Sequence, residues 1–394
     1  MMSAVLSNLG HPEYGVATIP FPIPRDQYAH CMEMLEALEI GDALKADCKV
    51  EKIDSFYSVL KRTEMLTVNM EELNYLAKRL ESFDTGEAAQ FQAMAHKLEL
   101  FELKDLINLT FCYQQATVIT DFSDLAAVGR DHYMNLHGGS AKTEELDALD
   151  GEETARRLIE SGSGAITPYG VVYDNGMKLE QVYDSRFFPC YYYEPNAITV
   201  AVTSKAEPED TEHITWLHLP MIQEEIDRAI RRASITDPKE IRLRLEDSQL
   251  PNEVDVLLDM EYETLSDLNE LAEATVGLSK ADMEKLGAVV TLAEPKSAAQ
   301  IKNLAESLDL FDFAPGAHTP EEYGKYMIRQ SGRFDYDENL DAFYDYEKYG
   351  AERMNEEDGM FTDRGYIAYK GYTSMEEVMN GSQSSHMVMG GLSR

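Results

Sequence analysis

The chain has 394 residues, 72 acidic against 35 basic, and a formal charge of −37, yet 44% of it is hydrophobic. That much apolar material excludes a disordered acidic tail. The charge argues against direct binding to DNA, RNA or an anionic membrane, whose phosphates it would repel, and for a basic protein partner. The length suggests two or three domains. Cys31, Cys48, Cys112 and Cys190 stand far apart with no CxxC and no Cys/His spacing, as reduced, mostly buried thiols do. No apolar run reaches about 18 residues and no basic n-region leads an apolar h-region, so the expectation is a soluble, cytoplasmic protein without a cofactor.

In chain order, Ala17-Thr18-Ile19 reads as extended and 26–38 as a helix. Asn69 precedes Glu71, Glu72 and the series Leu73, Leu76, Leu80, which predicts an N-capped amphipathic helix. A helix over 124–134 and a turn and strand at Tyr169-Gly170-Val171-Val172-Tyr173 follow. An aromatic connector holds Phe187-Phe188-Pro189-Cys190-Tyr191-Tyr192-Tyr193. Beyond it, Ile214-Thr215-Trp216-Leu217 reads as extended and 223–233 as helical.

From 245 to 279 there is no lysine or arginine, but there are Glu246, Asp247, Glu253, Asp255, Asp259, Glu261, Glu263, Asp267, Glu270 and Glu273. Here Leu265, Leu268 and Leu271 point inward and Glu263, Asp267 and Glu270 form an outward stripe at i, i+4, i+7. Like charges at that spacing cost a few tenths of a kcal/mol per pair, roughly, so the stripe is not there for helix stability. A helix over 320–330 leads to a second acidic stretch with Asp335, Asp337, Glu338, Asp341, Asp345, Glu347, Glu356, Glu357 and Asp358, then a strand, Arg364-Gly365-Tyr366-Ile367-Ala368. The segment 373–394, rich in Gly, Ser and Met, is expected to be a flexible tail.

Shifted by 195 residues, the chain matches itself. Leu73-Asn74-Tyr75-Leu76-Ala77 falls on Leu268-Asn269-Glu270-Leu271-Ala272, and Gly129-Arg130 falls on Gly324-Lys325. Gly164-Ala165-Ile166-Thr167 with Gly170 falls on Gly359-Met360-Phe361-Thr362 with Gly365. The constant offset predicts two diverged copies, 1–175 and 197–372, joined by the connector 176–196.

The segment LNYLAKRLESFDTGEAAQFQAMAHKLELFELKDLINL resembles the ArdA family of antirestriction proteins. So does the closing run from Asn339 to Gly350 (NLDAFYDYEKYG), followed by Asp358-Gly359-Met360-Phe361-Thr362. In copy one the equivalent stretch around Leu149-Asp150-Gly151-Glu152-Glu153 lacks the aromatic-acidic pattern. The resemblance implies an elongated α+β, multi-domain chain, each copy having small β-containing end domains around a central helical domain. It implies a DNA mimic that occupies the DNA groove of type I restriction-modification enzymes and protects mobile DNA, with dimerisation possible. Independently, duplex DNA carries one charge per about 1.7 Å, so the net charge of −37 corresponds to roughly 60 Å of duplex. The listed carboxylates of both acidic stretches are the expected partner-binding surface.

Other readings stay open beside this one. The partner could be another basic DNA-binding defence protein such as a CRISPR nuclease, and plentiful carboxylates permit a metal-dependent enzyme. Asp335, Asp337, Asn339 and Asp341 imitate an EF-hand, but Leu340 replaces its glycine and Tyr346 its terminal glutamate. His132 and His137 lack further ligands for zinc, and His213 and His218 flank the lone Trp216 in an expected strand. No GxSxG, HExxH, P-loop or GxGxxG occurs. The expectation is a protein with no catalytic residues and no bound metal.

Overall fold

The structure, a computed structural model, describes residues 2–191, 194–209 and 213–381. Tyr192 and Tyr193 of the connector, and residues 382–394 of the expected tail, lie outside the described residues. The fold is α+β, with four small antiparallel sheets among the described residues. The chain forms two compact units, one of Met1–Tyr193 with Ile222–Thr236 and one of Glu194–Met221 with Asp237–Arg394.

Unit 1 opens with β1 (Met2–Asn8), β2 (Val16–Phe21), α1 (Tyr28–Ala37), β3 (Cys48–Asp54) and β4 (Thr67–Val68), the strands ordered β2-β1-β3-β4. Alternation along β1 buries Ala4 and Leu6, so one sheet face is core. Next come α2 (Met70–Glu81), α3 (Thr85–Lys97) and α4 (Leu103–Leu109). Asn69 caps α2 as expected: its side chain accepts from Glu71 N (2.9 Å) and Glu72 N (3.1 Å). Leu73, Leu76 and Leu80 are all buried on one stripe. The unit continues through β5 (Thr117–Ile119), α5 (Leu125–Leu136), α6 (Thr143–Ala148), α7 (Gly151–Glu160), β6 (Ala165–Thr167) and β7 (Gly170–Tyr173), with sheet order β5-β7-β6.

The last helix of unit 1 comes from much later in the chain. It is α8 (Gln223–Arg232), the helix expected over 223–233. Its buried Arg232 donates to Glu71 Oε2 (2.7 Å), Asn69 Oδ1 (3.0 Å) and the Tyr183 hydroxyl (3.1 Å), and its guanidinium lies 4.2 Å from the Phe188 ring centroid. Arg228 pairs with the same Glu71 and donates to Gly41 O at 2.6 Å. One turn of α8 thus places two forks on a carboxylate that is itself only 12% exposed.

Unit 2 has a similar but not identical order of elements, with no α-helix of its own among the described residues in the place of α1 or α6. β8 (Ile198–Ser204), β9 (Thr215–Leu219) and β10 (Ile241–Ser248) form a sheet ordered β10-β8-β9. α9 (Asn252–Leu257), α10 (Leu265–Thr275), α11 (Lys280–Ala293) and α12 (Ala298–Ala305) make the helical part. β11 (Phe311–Pro315), α13 (Pro320–Arg329), α14 (Tyr346–Glu356), β12 (Asp358–Thr362) and β13 (Gly365–Tyr369) close it, with sheet order β11-β13-β12.

Single bonds recur too. Asn74 Oδ1 accepts from Ile23 N (2.7 Å) and Asn269 Oδ1 from Met221 N (2.8 Å). Thr167 and Thr362 each donate to the carbonyl three residues on, Gly170 O and Gly365 O, at 2.8 Å. Those glycines have φ of 128° and 137°, where a side chain would be strained.

Within the stretch expected to be flexible, Met375–Met379 form α15. Ser374 and Glu377 make a capping box there, and Asn303 of α12 donates to Met379 O at 2.8 Å, which holds the turn in place.

Candidate functional site

All the carboxylates singled out above lie in unit 2, but the fold sorts them into three kinds. The first kind is exposed and keeps its charge available. Glu261, Asp335, Glu338, Glu347 and Asp358 are exposed. Asp247, Asp259, Asp337 and Asp345 are also exposed and accept only short-range bonds, from Ser248 N, Glu261 N, Asn339 and Lys348 N respectively. Asp345 is thereby the N-cap of α14, where the partial positive charge of the helix end favours a carboxylate. Glu273, on α10, is exposed too but is not free of partners.

The second kind is exposed and paired. Glu246 meets Arg244, Glu270 meets Lys302 at 3.7 Å, and Glu356 meets Arg353 at 3.3 Å. Pairs of this sort are worth about 0–1 kcal/mol and open easily.

The third kind is built into the fold. Glu253 receives a bidentate fork from Arg364, both bonds 2.8 Å, and the guanidinium holds its carboxyl below the usual range. Asp341 accepts from the Tyr346 and Tyr336 hydroxyls and from Arg329, which together bring its pKa down to about 2. Glu357 takes a 2.6 Å bond from the Tyr323 hydroxyl and pairs with Arg353. Glu263 precedes α10 instead of lying on it, so the expected outward stripe shortens. Thr264 is the N-cap and Glu263 accepts from Ala298 N at 2.9 Å. Asp267, in the first turn of α10, accepts from the Thr264 hydroxyl at 2.6 Å. Burial pushes the carboxyls of Glu263 and Asp255 up, and Asp255 Oδ1 has no hydrogen-bond partner among the described residues.

Sequence reasoning missed Arg364, Arg329 and Arg353, the cations that absorb the third kind. Arg364 and Arg329 stand 111 and 12 residues from their partners, so spacing carries no signal for them, whereas Arg353 and Glu357 have the i, i+4 spacing of a helical ion pair.

The EF-hand imitation does not converge on a point. Asp341 is turned into the Arg329–Tyr336–Tyr346 cluster and Asp337 bonds Asn339. Among the described residues no group of three His, Cys, Asp or Glu side chains is placed to hold a metal ion. His132 bonds the Thr117 hydroxyl (2.9 Å) and His218 the Thr199 hydroxyl (3.2 Å); burial lowers the pKa of both. No helix among the described residues is long and apolar enough to cross a membrane.

The built-in carboxylates Glu253, Asp341 and Glu357 each face arginine or tyrosine. What remains outside is a set of fixed, solvated negative charges on α10, α14 and their flanking loops. Such a set can attract and hold a cationic surface.

No curated protein shows a significant match to the chain. Residues 211–368 match the family model of the antirestriction protein ArdA, and all the carboxylates of the three kinds fall inside that span. Over these residues the chain is similar to the ArdA antirestriction family.

Proposed function

We propose that the protein is a non-enzymatic antirestriction protein that imitates duplex DNA and occupies the DNA-binding groove of a type I restriction-modification enzyme. The observation that carries this reading is the exposed, uncompensated set Asp259, Glu261, Asp335, Glu338, Glu347 and Asp358 within the matched span. A groove lined with Lys and Arg to neutralise phosphates also attracts carboxylates, and binding them releases counterions in the same way.

The reading extends to a tandem of two diverged ArdA-like copies, 1–175 and 197–372. It is supported by the similar element order, the paired asparagine bonds and the paired threonine–glycine turns described above. Association of two chains belongs to the same proposal and would register in light scattering as a doubled mass.

The test is competition with DNA for a type I enzyme across a salt series. With six to ten ion contacts, affinity should fall by about three to five orders of magnitude between roughly 50 and 200 mM salt. Affinity that does not change with salt, or binding that leaves the enzyme's DNA in place, refutes mimicry. Loss of inhibition of the restriction enzyme with retained, salt-sensitive binding to a different DNA-binding defence protein would favour that partner instead.

A further inference from the structure

One place in unit 2 reverses the charge ratio of the chain. A pocket of about 360 Å³ lies against the edge strand β11 and the C-terminal end of α13. Asp312, on β11, accepts from Arg333 (2.5 Å) and Lys370 (3.0 Å) at its wall. Lys285 of α11 and Asp309 also line it, so three cations meet two carboxylates in a protein with two acids for every base.

We propose that this pocket binds a small organic oxyanion, a phosphate or carboxylate on a compact body, with Lys285 as the main counter-charge. Lys285 is half-buried, and among the described residues its ammonium donates no hydrogen bond and enters no ion pair. Asp312 is already shared by the other two cations. Burial and the neighbouring Lys370 push the Lys285 pKa below the ordinary lysine value by more than Asp312, Asp282 and Asp309 raise it, a remaining cost that an arriving anion reduces.

Size decides which anions qualify. At physiological salt, charges are screened over about 8 Å, so a small anion inside the pocket senses Lys285, Lys370 and Arg333. A polyanion such as nucleic acid extends past them into the surrounding carboxylates and is repelled. A bare phosphate leaves most of the volume empty. The half-buried Phe313 and Tyr326, both lining the pocket, leave room for a compact organic body. The volume sits at the lower end of the roughly 300–1,000 Å³ typical of small-molecule sites. The site is independent of the antirestriction reading, because a basic partner has no reason to approach it.

The experiment is isothermal titration of the full chain with phenyl phosphate, benzoate and inorganic phosphate, ionic strength held constant with sodium chloride. Phenyl phosphate or benzoate should bind one to one, the stronger of the two naming the head group, and inorganic phosphate more weakly. Lys285→Met should weaken binding about tenfold or more, while Lys285→Arg retains most of it. In the unsubstituted chain the bound probe should shield Lys285 from reductive methylation, read by peptide mass, which needs no variant to fold. No heat from any probe, undiminished binding by Lys285→Met, or unshielded Lys285 at saturation overturns the proposal.

Discussion

Gly350 of α14 faces Gly324 of α13 where the two helices come closest, and the substitution Gly350→Ala tests how much of unit 2 depends on that approach. A Cβ on Gly350 would fall more than an ångström inside 3.0 Å of the Pro320 carbonyl oxygen, a separation that real Cβ atoms essentially never show. One on Gly324 would meet the Tyr346 carbonyl in the same way. The obstacle is backbone on both sides, so the helices must part. Overpacking of this kind costs about 1–3 kcal/mol and occasionally more. Alanine recovers up to about 1 kcal/mol of helix propensity, which leaves a net loss of about 2 kcal/mol. Hydrogen exchange by mass spectrometry on peptides from α13 and α14 should show protection reduced about 30-fold. Gly277→Ala is the control: a Cβ there has nothing within 4 Å and the backbone is ordinary, so protection should hold or rise slightly. Unchanged protection in both Gly350→Ala and Gly324→Ala, or an equal loss in the control, would refute the close-packing argument.

Neutralising Asp259, Glu261, Glu270 and Glu273 together should weaken target binding strongly, whereas each alone should cost no more than about 1 kcal/mol, and the melting temperature should hold or rise. If one of them alone abolishes inhibition in a folded protein, catalysis or metal binding replaces mimicry. Arg232→Met should destabilise unit 1 by about 3 kcal/mol, since it strips a buried fork from Glu71, Asn69 and Tyr183, and Arg232→Lys should restore only part; urea unfolding measures both. Stability should also depend on pH in two steps. Burial raises the carboxyl pKa of Glu72, Asp131, Asp255 and Glu263 in the folded state, so the fold binds more protons than the unfolded chain and gains stability as pH falls toward the ordinary carboxylate range of about 4. Asp341 and Glu253 are shifted the other way; their contribution is present above the unfolded value of about 4 and is lost as pH falls through their folded values, about 2 for Asp341. A melting temperature that does not rise as pH falls from neutral toward that range would count against the first step.

Local rules exposed much of the fold. The Asn69 cap with its Leu73–Leu76–Leu80 stripe, and the turn glycines Gly170 and Gly365, act within a few residues and therefore leave a readable trace. The helix at Met375–Met379 was readable too: Ser374 followed by Glu377 is a capping-box spacing, hidden by the Gly, Ser and Met composition around it. The sorting of the carboxylates was not. Glu253 and Arg364 stand 111 residues apart, so nothing near Glu253 says that its charge is spent. Asp341 looks like its exposed neighbours because the tyrosines that engage it also look like surface aromatics. Around Gly151, the absence of the aromatic-acidic pattern hid a similar contact. Gly151 packs against Gly129 as Gly350 does against Gly324, so the glycine of that motif serves helix packing and the acids around it are free to change.

The placement of α8 sets an order of events on the ribosome. A nascent chain released as far as Tyr193 has every strand of unit 1 but lacks the arginines that Glu71 and Asn69 await. The first half must therefore stay incomplete, with Glu71 exposed to water, until synthesis has passed β9 and delivered Arg228 and Arg232. Vectorial folding is thus delayed here, and a gene truncated just after Tyr193 would encode an unfinished unit.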